Sequence, residues 1–251
     1  MIASLRCCLV ACLVFGAVAC SDNTDSPTSV NDKLTGETDL SFTKPGYSFV
    51  TFFNLSEWFP NQDESVRDTV TVLENVNGDV TLDFRLTIDT NFTLALDTML
   101  GTTALSTEMK RAIIDTYLGR YGATLDTTDK DNMRITARPQ LRVTSEGIQD
   151  YISSRGNTSQ PFTIIRYSMK VGDSWSFVTP EGTTLSRRVV HHSSEEDYWV
   201  GFLGLKVFKT EETAPDDPLV EKIVWVTNHK FGLVGIHLHL KNGKEVPIKF
   251  L

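Results

Sequence analysis

The sequence has 251 residues, of which 40% are hydrophobic and 22% charged, with a formal net charge of −8 at pH 7. This composition is typical of a globular protein rather than a disordered one. An acidic chain without a basic stripe repels phosphate backbones, which excludes nucleic acid as a partner. All four cysteines lie in the first twenty residues, so the rest of the chain contains no disulfide.

The chain begins with the pattern of a secretory signal. Arg6 is the only charged side chain before an apolar run over residues 7–18, and Ala17 and Ala19 are the small residues that signal cleavage requires. The run is too short to cross a bilayer, which takes about 20 residues. Residues 1–19 are therefore predicted to be a signal peptide.

The junction Ala17-Val18-Ala19-Cys20 resembles a bacterial lipobox, although alanine stands where that motif usually has leucine. The resemblance implies that Cys20 is acylated with palmitate-like chains and becomes the first residue of the mature protein. The alternative is ordinary cleavage after Ala19, which leaves a free thiol. Lipidation predicts a bacterial cell envelope protein, and Ser21 after the cysteine implies the outer membrane rather than the inner one.

A polar segment follows the junction, with scattered Ser, Thr, Asn and Asp up to about Lys44. Such a segment buries too little apolar surface to offset its ordering entropy, so residues 20–45 are predicted to be a flexible tether. Residues 46–251 are predicted to form a single β-rich globular domain. A sub-boundary near residue 160 is left open.

The segment DVTLDFRLTID, residues 79–89, alternates apolar and polar side chains. This period of two predicts a half-buried antiparallel strand. The preceding TVTVLENV is also strand-like, and Asn77-Gly78 between them favours a tight type I′ turn. Together they predict a β-hairpin.

Residues 106–122 have apolar side chains at three- and four-residue intervals, which predicts one amphipathic helix. Ser106 or Thr107 is suited to its N-cap and Gly122 to its C-terminal end. The face predicted to be apolar contains Met109, Ala112, Ile113, Thr116, Tyr117 and Leu118. In the loop that follows, Asp126, Asp129 and Asp131 do not have EF-hand spacing, so a solvated acidic loop is favoured over a calcium site.

From Phe162 to the C-terminus, strand-like segments alternate with short turns rich in Gly, Pro, Asn, Asp and Ser. Because these turns are too short for crossover helices, neighbouring strands are expected to be antiparallel. The pattern predicts a meander of six or seven strands. The complete fold is predicted to be mainly β (α+β), a curved antiparallel sheet or half-barrel with one amphipathic helix.

Two segments of the meander, residues 198–208 and 223–226, are apolar in both alternation classes. A strand of this kind needs cover on both faces, from another sheet, the helix or an apolar ligand. We expect the helix to cover part of the sheet and to leave an aromatic-lined groove. The candidate ligand-binding residues are Trp199, Leu203, Leu205 and Trp225.

The segments KVGDSWSF, KVFKTEE and KIVWVTNHKFGLVGIHLHL resemble a group of exported bacterial lipoproteins of unknown function. The folds of that group resemble the half-barrel of the periplasmic lipoprotein carriers, in which a curved antiparallel sheet wraps a helix and holds acyl chains. The likeness covers residues 166–251 and depends on hydrophobic spacing together with Trp175, Trp225 and Gly232-Leu233-Val234. It implies no catalytic residues and does not extend to residues 45–160.

No linear catalytic motif is present, neither a Gly-x-Ser-x-Gly elbow nor a Walker loop nor His-Glu-x-x-His. The acidic clusters at the predicted turns are interpreted as solvated; they are Glu195-Glu196-Asp197, Glu211-Glu212 and Asp216-Asp217. His237 and His239 share one face of a predicted strand and could chelate zinc. A third ligand could come from His191, His192 or His229, but no carboxylate at a fixed offset completes the set.

Two hypotheses follow. The favoured one is a non-enzymatic envelope lipoprotein without a cofactor, held at the membrane by its lipid, which binds an apolar ligand or another envelope component. The alternative is a hydrolase or metalloenzyme whose site is assembled across strands and includes His237 and His239.

Overall fold

A computed structural model of the chain describes residues 29–53, 68–88, 106–129, 133–213 and 217–251. The predicted signal peptide, Cys20 and the tether up to residue 28 lie outside these residues. The described part contains a 3-10 turn at Ser41–Thr43, one α-helix and sixteen strands.

The elements of the first half are β1 (Ser48–Phe53), β2 (Thr69–Val76), β3 (Asp79–Ile88), α1 (Thr107–Tyr121), β4 (Ala123–Asp126), β5 (Met133–Ala137), β6 (Gln140–Thr144) and β7 (Gly147–Asp150). Those of the second half are β8 (Phe162–Arg166), β9 (Ser174–Val178), β10 (Thr184–His192), β11 (Tyr198–Val200), β12 (Leu203–Leu205), β13 (Phe208–Thr213), β14 (Val220–Asn228), β15 (Gly232–Leu240) and β16 (Glu245–Phe250).

Fourteen of the described strands form one sheet in the order β8-β7-β6-β3-β2-β1-β16-β15-β14-β13-β10-β9, with β5 beside β3 and β4 beside β5. Every pairing in it is antiparallel. The sheet curves until it is nearly closed into a barrel. This confirms the predicted mainly β fold with a curved antiparallel sheet.

The two ends of this sheet, β8 and β9, are connected by side chains instead of a strand ladder. Trp175 Nε1 on β9 donates to the Thr163 carbonyl on β8 at 2.7 Å. Asn31 spans the same gap, because its Nδ2 donates to the Ser176 carbonyl at 2.8 Å and its Oδ1 accepts from Thr163 N at 3.2 Å. The N-terminal segment therefore helps to close the barrel.

This position corrects the predicted extent of the tether, because residues 29–44 pack against the sheet. Leu34 is 1% exposed, its N–H donates to Gln149 Oε1 at 2.9 Å, and its carbonyl accepts from Arg142 Nε at 2.5 Å. Phe42 is also buried. The segment is too polar to fold by itself. It is ordered by a few buried apolar side chains of its own and by polar partners more than a hundred residues away in sequence.

The β2–β3 hairpin forms as predicted. Asn77 and Gly78 have φ angles of 53° and 91°, which are the positive values that a type I′ turn requires. Val80 is buried on the inner face. The register pairs Val76 with Asp79 across the two-residue loop.

The helix begins and ends where predicted. Ser106 Oγ accepts from Met109 N, and Gly122 closes the helix with φ 58°. The buried face is different, because Met109 is 54% exposed and Ala112 and Thr116 are exposed as well. The partly buried side is formed by Ile113, Ile114, Tyr117, Leu118 and Tyr121. The helix lies against the barrel on this side only, so none of the side chains described for residues 108–121 is fully buried.

The predicted meander requires two corrections. Strand β8 pairs with β7 and lies at the opposite end of the sheet from β9. The segment 198–208 is not one strand, because Gly201 at φ 57° turns the chain and makes β11 and β12 a separate two-stranded hairpin. From β9 onward, the other neighbouring strands are antiparallel as predicted.

The β11–β12 hairpin covers the outer face of the barrel wall. Its Tyr198, Val200 and Leu205 form a second core with Val207 and with outward-facing residues of β14 and β15, namely Val224, Val226 and Val234. The opposite face of β14, with Ile223 and Trp225, belongs to the main core inside the barrel. The predicted two-sided burial of β14 is confirmed, and its outer cover is the protein's own hairpin.

Candidate functional site

An apolar cavity of about 180 Å³ lies inside the barrel, between the C-terminal end of α1 and the curved sheet. Its wall is mainly aliphatic side chains from β2, β3, β6 and β15. Six aromatic residues also line it: Phe42, Phe49, Phe84, Tyr121, Trp225 and Phe250. An aromatic-lined space is therefore present between helix and sheet, where the sequence predicts a groove.

A second, polar cavity of about 250 Å³ adjoins the first. Tyr121, Ile152 and Trp225 line both. Four carboxylates and two arginines contribute to the polar wall, namely Asp150, Glu181, Glu212, Asp217, Arg120 and Arg155. The interior of the barrel thus has an apolar half and a charged half that meet at shared side chains.

Arg187 on β10 is the centre of the charged half and is 1% exposed. Its Nε donates to Glu212 Oε2 at 2.7 Å, and its Nη2 lies 2.6 Å from Asp150 Oδ2. Its Nη1 donates to the Phe162 carbonyl at 3.0 Å, which ties β10 to β8. Both carboxylates are also buried, so one guanidinium holds two acids inside the barrel.

Aromatic rings enclose this ionic cluster. The guanidinium carbon of Arg187 lies 3.7 Å from the ring centroid of Phe162 and 5.2 Å from that of Trp225. Trp225 Nε1 donates to Glu212 Oε2 at 3.0 Å. Burial alone lowers the pKa of Arg187, but Glu212 and Asp150 outweigh it and the pKa is raised, so Arg187 stays charged.

Asp217 attaches the helix to this end of the barrel. Its carboxylate accepts hydrogen bonds from Tyr117 Oη and Arg120 Nη1, both on α1. Its Oδ1 also accepts from the backbone N–H groups of Leu219 and Val220 at 2.9 and 2.7 Å. Because the side chain is only 2% exposed, these contacts form a buried connection between α1 and the start of β14.

Tyr121, the last residue of α1, and Ile152 lie where several cavities meet. Besides the two cavities already described, both residues line a further apolar one of about 240 Å³ and a polar one of about 360 Å³. Burial raises the pKa of Tyr121, with Glu212 and Asp217 adding to the effect, so its phenol is neutral at physiological pH. A movement of either side chain would connect the apolar interior with its polar surroundings.

The four predicted ligand-binding residues are not brought together. Trp225 lines both main cavities. Leu203 and Leu205 belong to the outer core under the β11–β12 hairpin, and Trp199 is 57% exposed on that hairpin. The separation follows from the turn at Gly201, which moves these residues from the predicted long strand to the outside of the barrel.

His237 and His239 share a face of β15 as predicted, and Glu245 on β16 supplies the carboxylate that sequence reasoning missed. His237 Nδ1 lies 2.6 Å from Glu245 Oε1, and its Nε2 lies 3.0 Å from Tyr198 Oη. His239 Nδ1 is 4.0 Å from Glu245 Oε2. Both ring nitrogens of His237 are therefore occupied by protein groups. Among the described residues, no group of three or more His, Cys, Asp or Glu side chains is arranged so that it could hold a metal ion.

The lowered pKa of His237 predicts that the stability of the protein depends on pH. Burial lowers its pKa below the ordinary 6.5, although Glu245 opposes the shift. The folded state then binds fewer protons than the unfolded state, so the stabilisation is complete above pH 6.5 and is lost as the pH falls through the lowered pKa. His237→Gln is expected to flatten the pH dependence of the free energy of unfolding below this point. Urea unfolding from about pH 7.5 to about pH 5 measures it, and equal slopes in the two proteins would contradict the assignment.

Ser193, His191 and Asp197 include the residue types of a hydrolase triad, but their geometry is different. His191 Nε2 faces both Ser193 Oγ at 3.2 Å and Asp197 Oδ2 at 2.8 Å, whereas a catalytic histidine uses its two nitrogens for different partners. Ser193 Oγ donates to Asp197 and accepts from Val207 N at 2.9 Å. The cluster ties the end of β10 to the segment before β13.

Sequence reasoning also missed the buried acids. Glu212 and Asp217 were predicted to be solvated, but they are 5% and 3% exposed, because Arg187 and Arg120 neutralise them inside the barrel. Glu211, one residue away, faces outward and pairs with Lys222. Asp126 and Asp129 are exposed as predicted, and Asp131 lies outside the described residues.

Comparison with protein-family models, curated proteins and solved structures finds no match to this chain. In the described part, no helix is both long and apolar enough to cross a membrane.

Proposed function

We propose that this protein is a lipid-anchored, non-enzymatic component of the bacterial cell envelope that binds an apolar chain inside its barrel. The observation that carries the proposal is the aromatic-lined cavity of about 180 Å³ next to Trp225. The outer face of β14 is already covered by the β11–β12 hairpin, so the ligand is assigned to the interior cavity and not to that face.

The size of the cavities supports a binding role over a packing defect. The apolar cavity has a volume of about 180 Å³ and the polar one about 250 Å³. Ligand sites typically have volumes of about 300–1,000 Å³. Each main cavity alone is smaller than this range, whereas the two together fall inside it. A ligand that fills the apolar part would restore contacts that protein interiors normally make with themselves.

The sequence around Cys20 supports the membrane location. The described structure begins at Ser29, nine residues after Cys20, and nine residues span at most about 30 Å. Acylation of Cys20 would therefore hold the barrel close to the membrane, where acyl chains are abundant. Mass spectrometry of the N-terminal peptide tests this part: a chain that starts at unmodified Cys20 or Ser21 would rule it out.

Leu233→Trp tests the binding site. Leu233 lines the apolar cavity, so an indole at this position should occupy the space and weaken binding of the uncharged dye N-phenyl-1-naphthylamine at least about tenfold, a loss of about 1.4 kcal/mol. Dye fluorescence titrated with protein provides the measurement.

Leu203→Trp is the matched control, because Leu203 is also a partly buried strand residue but lies in the outer core. It should bind the dye like the unaltered protein. Equal binding by all three proteins, or no binding by any of them, would contradict the interior site.

A further inference from the structure

We propose that the ligand of the barrel carries a cationic head group, an amine or quaternary ammonium, which occupies the polar cavity while its apolar chain occupies the neighbouring one. This inference rests on the proposed function, because it assigns the head group of the same ligand. Tyr121, Ile152 and Trp225 line both cavities, so a movement of Tyr121 or Ile152 would let one molecule extend from one cavity into the other.

The charge of the polar wall favours a cation. Among the described residues, four carboxylates line the cavity, and three guanidinium groups contact them. Arg120 pairs with Asp217 and Arg155 with Glu181. Asp150 and Glu212 share the single Arg187. One carboxylate charge therefore has no cation of its own at this wall.

The shared arginine and its two acids are all buried. Asp150 is 1% exposed, and its Oδ1 accepts from Ser153 N at 2.8 Å. Its Oδ2 lies 2.6 Å from Arg187 Nη2, and the same nitrogen also contacts Glu212 Oε2. A cationic group of a ligand in this cavity would give the two acids a second positive partner. A buried charge gains most from such a partner, because unpaired charges are costly away from water.

Aromatic side chains are a second reason to expect a cationic head group. Tyr121 and Trp225 line both cavities, and the faces of such rings attract ammonium groups. An anionic head group would instead be placed beside Asp150 and Glu212, where like charges in a low-dielectric site repel strongly. The same wall therefore favours a cation and disfavours a fatty acid or phosphate.

Three surfactants with the same dodecyl chain separate the two proposals. Dodecyltrimethylammonium, dodecyl maltoside and dodecyl sulfate, each below its micellar concentration, compete with N-phenyl-1-naphthylamine for the unaltered protein. We expect the cation to compete at least about tenfold better than the other two, about 1.4 kcal/mol. Equal competition by all three, or strongest competition by the sulfate, would overturn the cationic assignment and leave the apolar site standing. Failure of all three would reject the proposed function itself.

Glu212→Gln should reduce the preference for the cation to less than about threefold, because the amide removes the surplus charge. Glu211→Gln is the matched control, since Glu211 is the adjacent residue but faces outward and pairs with Lys222; its preference should be unchanged. If Glu212→Gln does not fold, Asp150→Asn serves as the second variant. A preference that survives in the folded variant would overturn the assignment.

Discussion

Replacing Arg187 with methionine is expected to lower the free energy of unfolding by about 3–5 kcal/mol. The substitution leaves Asp150 and Glu212 buried without their shared cation and removes the bond from β10 to the Phe162 carbonyl. Breaking a buried ion pair from one side is costly because the remaining charge has no solvent. Urea unfolding followed by circular dichroism measures the loss.

The chain offers a matched control in the next residue. Arg188 is exposed on the outer face of β10, so Arg188→Met should change the free energy of unfolding by no more than about 0.5 kcal/mol. The combination of Arg187→Met with Asp150→Asn and Glu212→Gln should recover much of the loss, because the amides keep acceptors for Ser153 N and Trp225 Nε1 without buried charge. If the two single arginine variants have equal stability, the account of the cluster is wrong.

Replacing Asp217 with alanine is expected to cost at least about 3 kcal/mol and to loosen α1 from the barrel. The variant removes the acceptor of Tyr117 Oη and Arg120 Nη1 on the helix. It also leaves the N–H groups of Leu219 and Val220 without this partner. An unsatisfied buried donor costs about 1–3 kcal/mol. Losing four hydrogen bonds together should therefore lower the free energy of unfolding by more than an ordinary surface substitution does.

Hydrogen exchange locates the effect. In Asp217→Ala, amides of Thr107–Tyr121 should exchange faster relative to those of β14 and β15 than they do in the unaltered protein. Tyr117→Phe removes one of the bonds and should cost about 1 kcal/mol. Asp115→Ala, an exposed position on the same helix, should have little effect. Unchanged protection of the helix in Asp217→Ala would contradict the role of this attachment.

Local patterns explain why some elements could be predicted. The β2–β3 hairpin is specified by alternation and by Asn77-Gly78, and α1 by Ser106 and Gly122 at its ends. These signals act within a few residues. The packing of residues 29–44 could not be predicted in this way, because it depends on partners such as Gln149 and Arg142 that are over a hundred residues away in sequence. The separate hairpin depends on one backbone reversal at Gly201.

The site was predicted only in part, for a similar reason. Trp225 could be identified from the two-sided apolarity of its strand. Arg187 lies in phase with buried Val189 and partly buried Leu185, and this was a usable signal for an inward-facing charge. Its partner could not be read from the sequence, because the β10–β13 register alone places Arg187 opposite Glu212 and Arg188 opposite Glu211.

The most direct test of an apolar chain inside the barrel is contact quenching of single tryptophans. The sequence has four tryptophans, and two variants would each keep one, Trp225 in the interior or Trp199 on the outer hairpin, with phenylalanine at the other positions. Titration with an uncharged undecyl alcohol that has bromine at its chain end should quench Trp225 with saturation and leave Trp199 unaffected. Quenching of Trp199 alone, or of neither residue, would contradict the account.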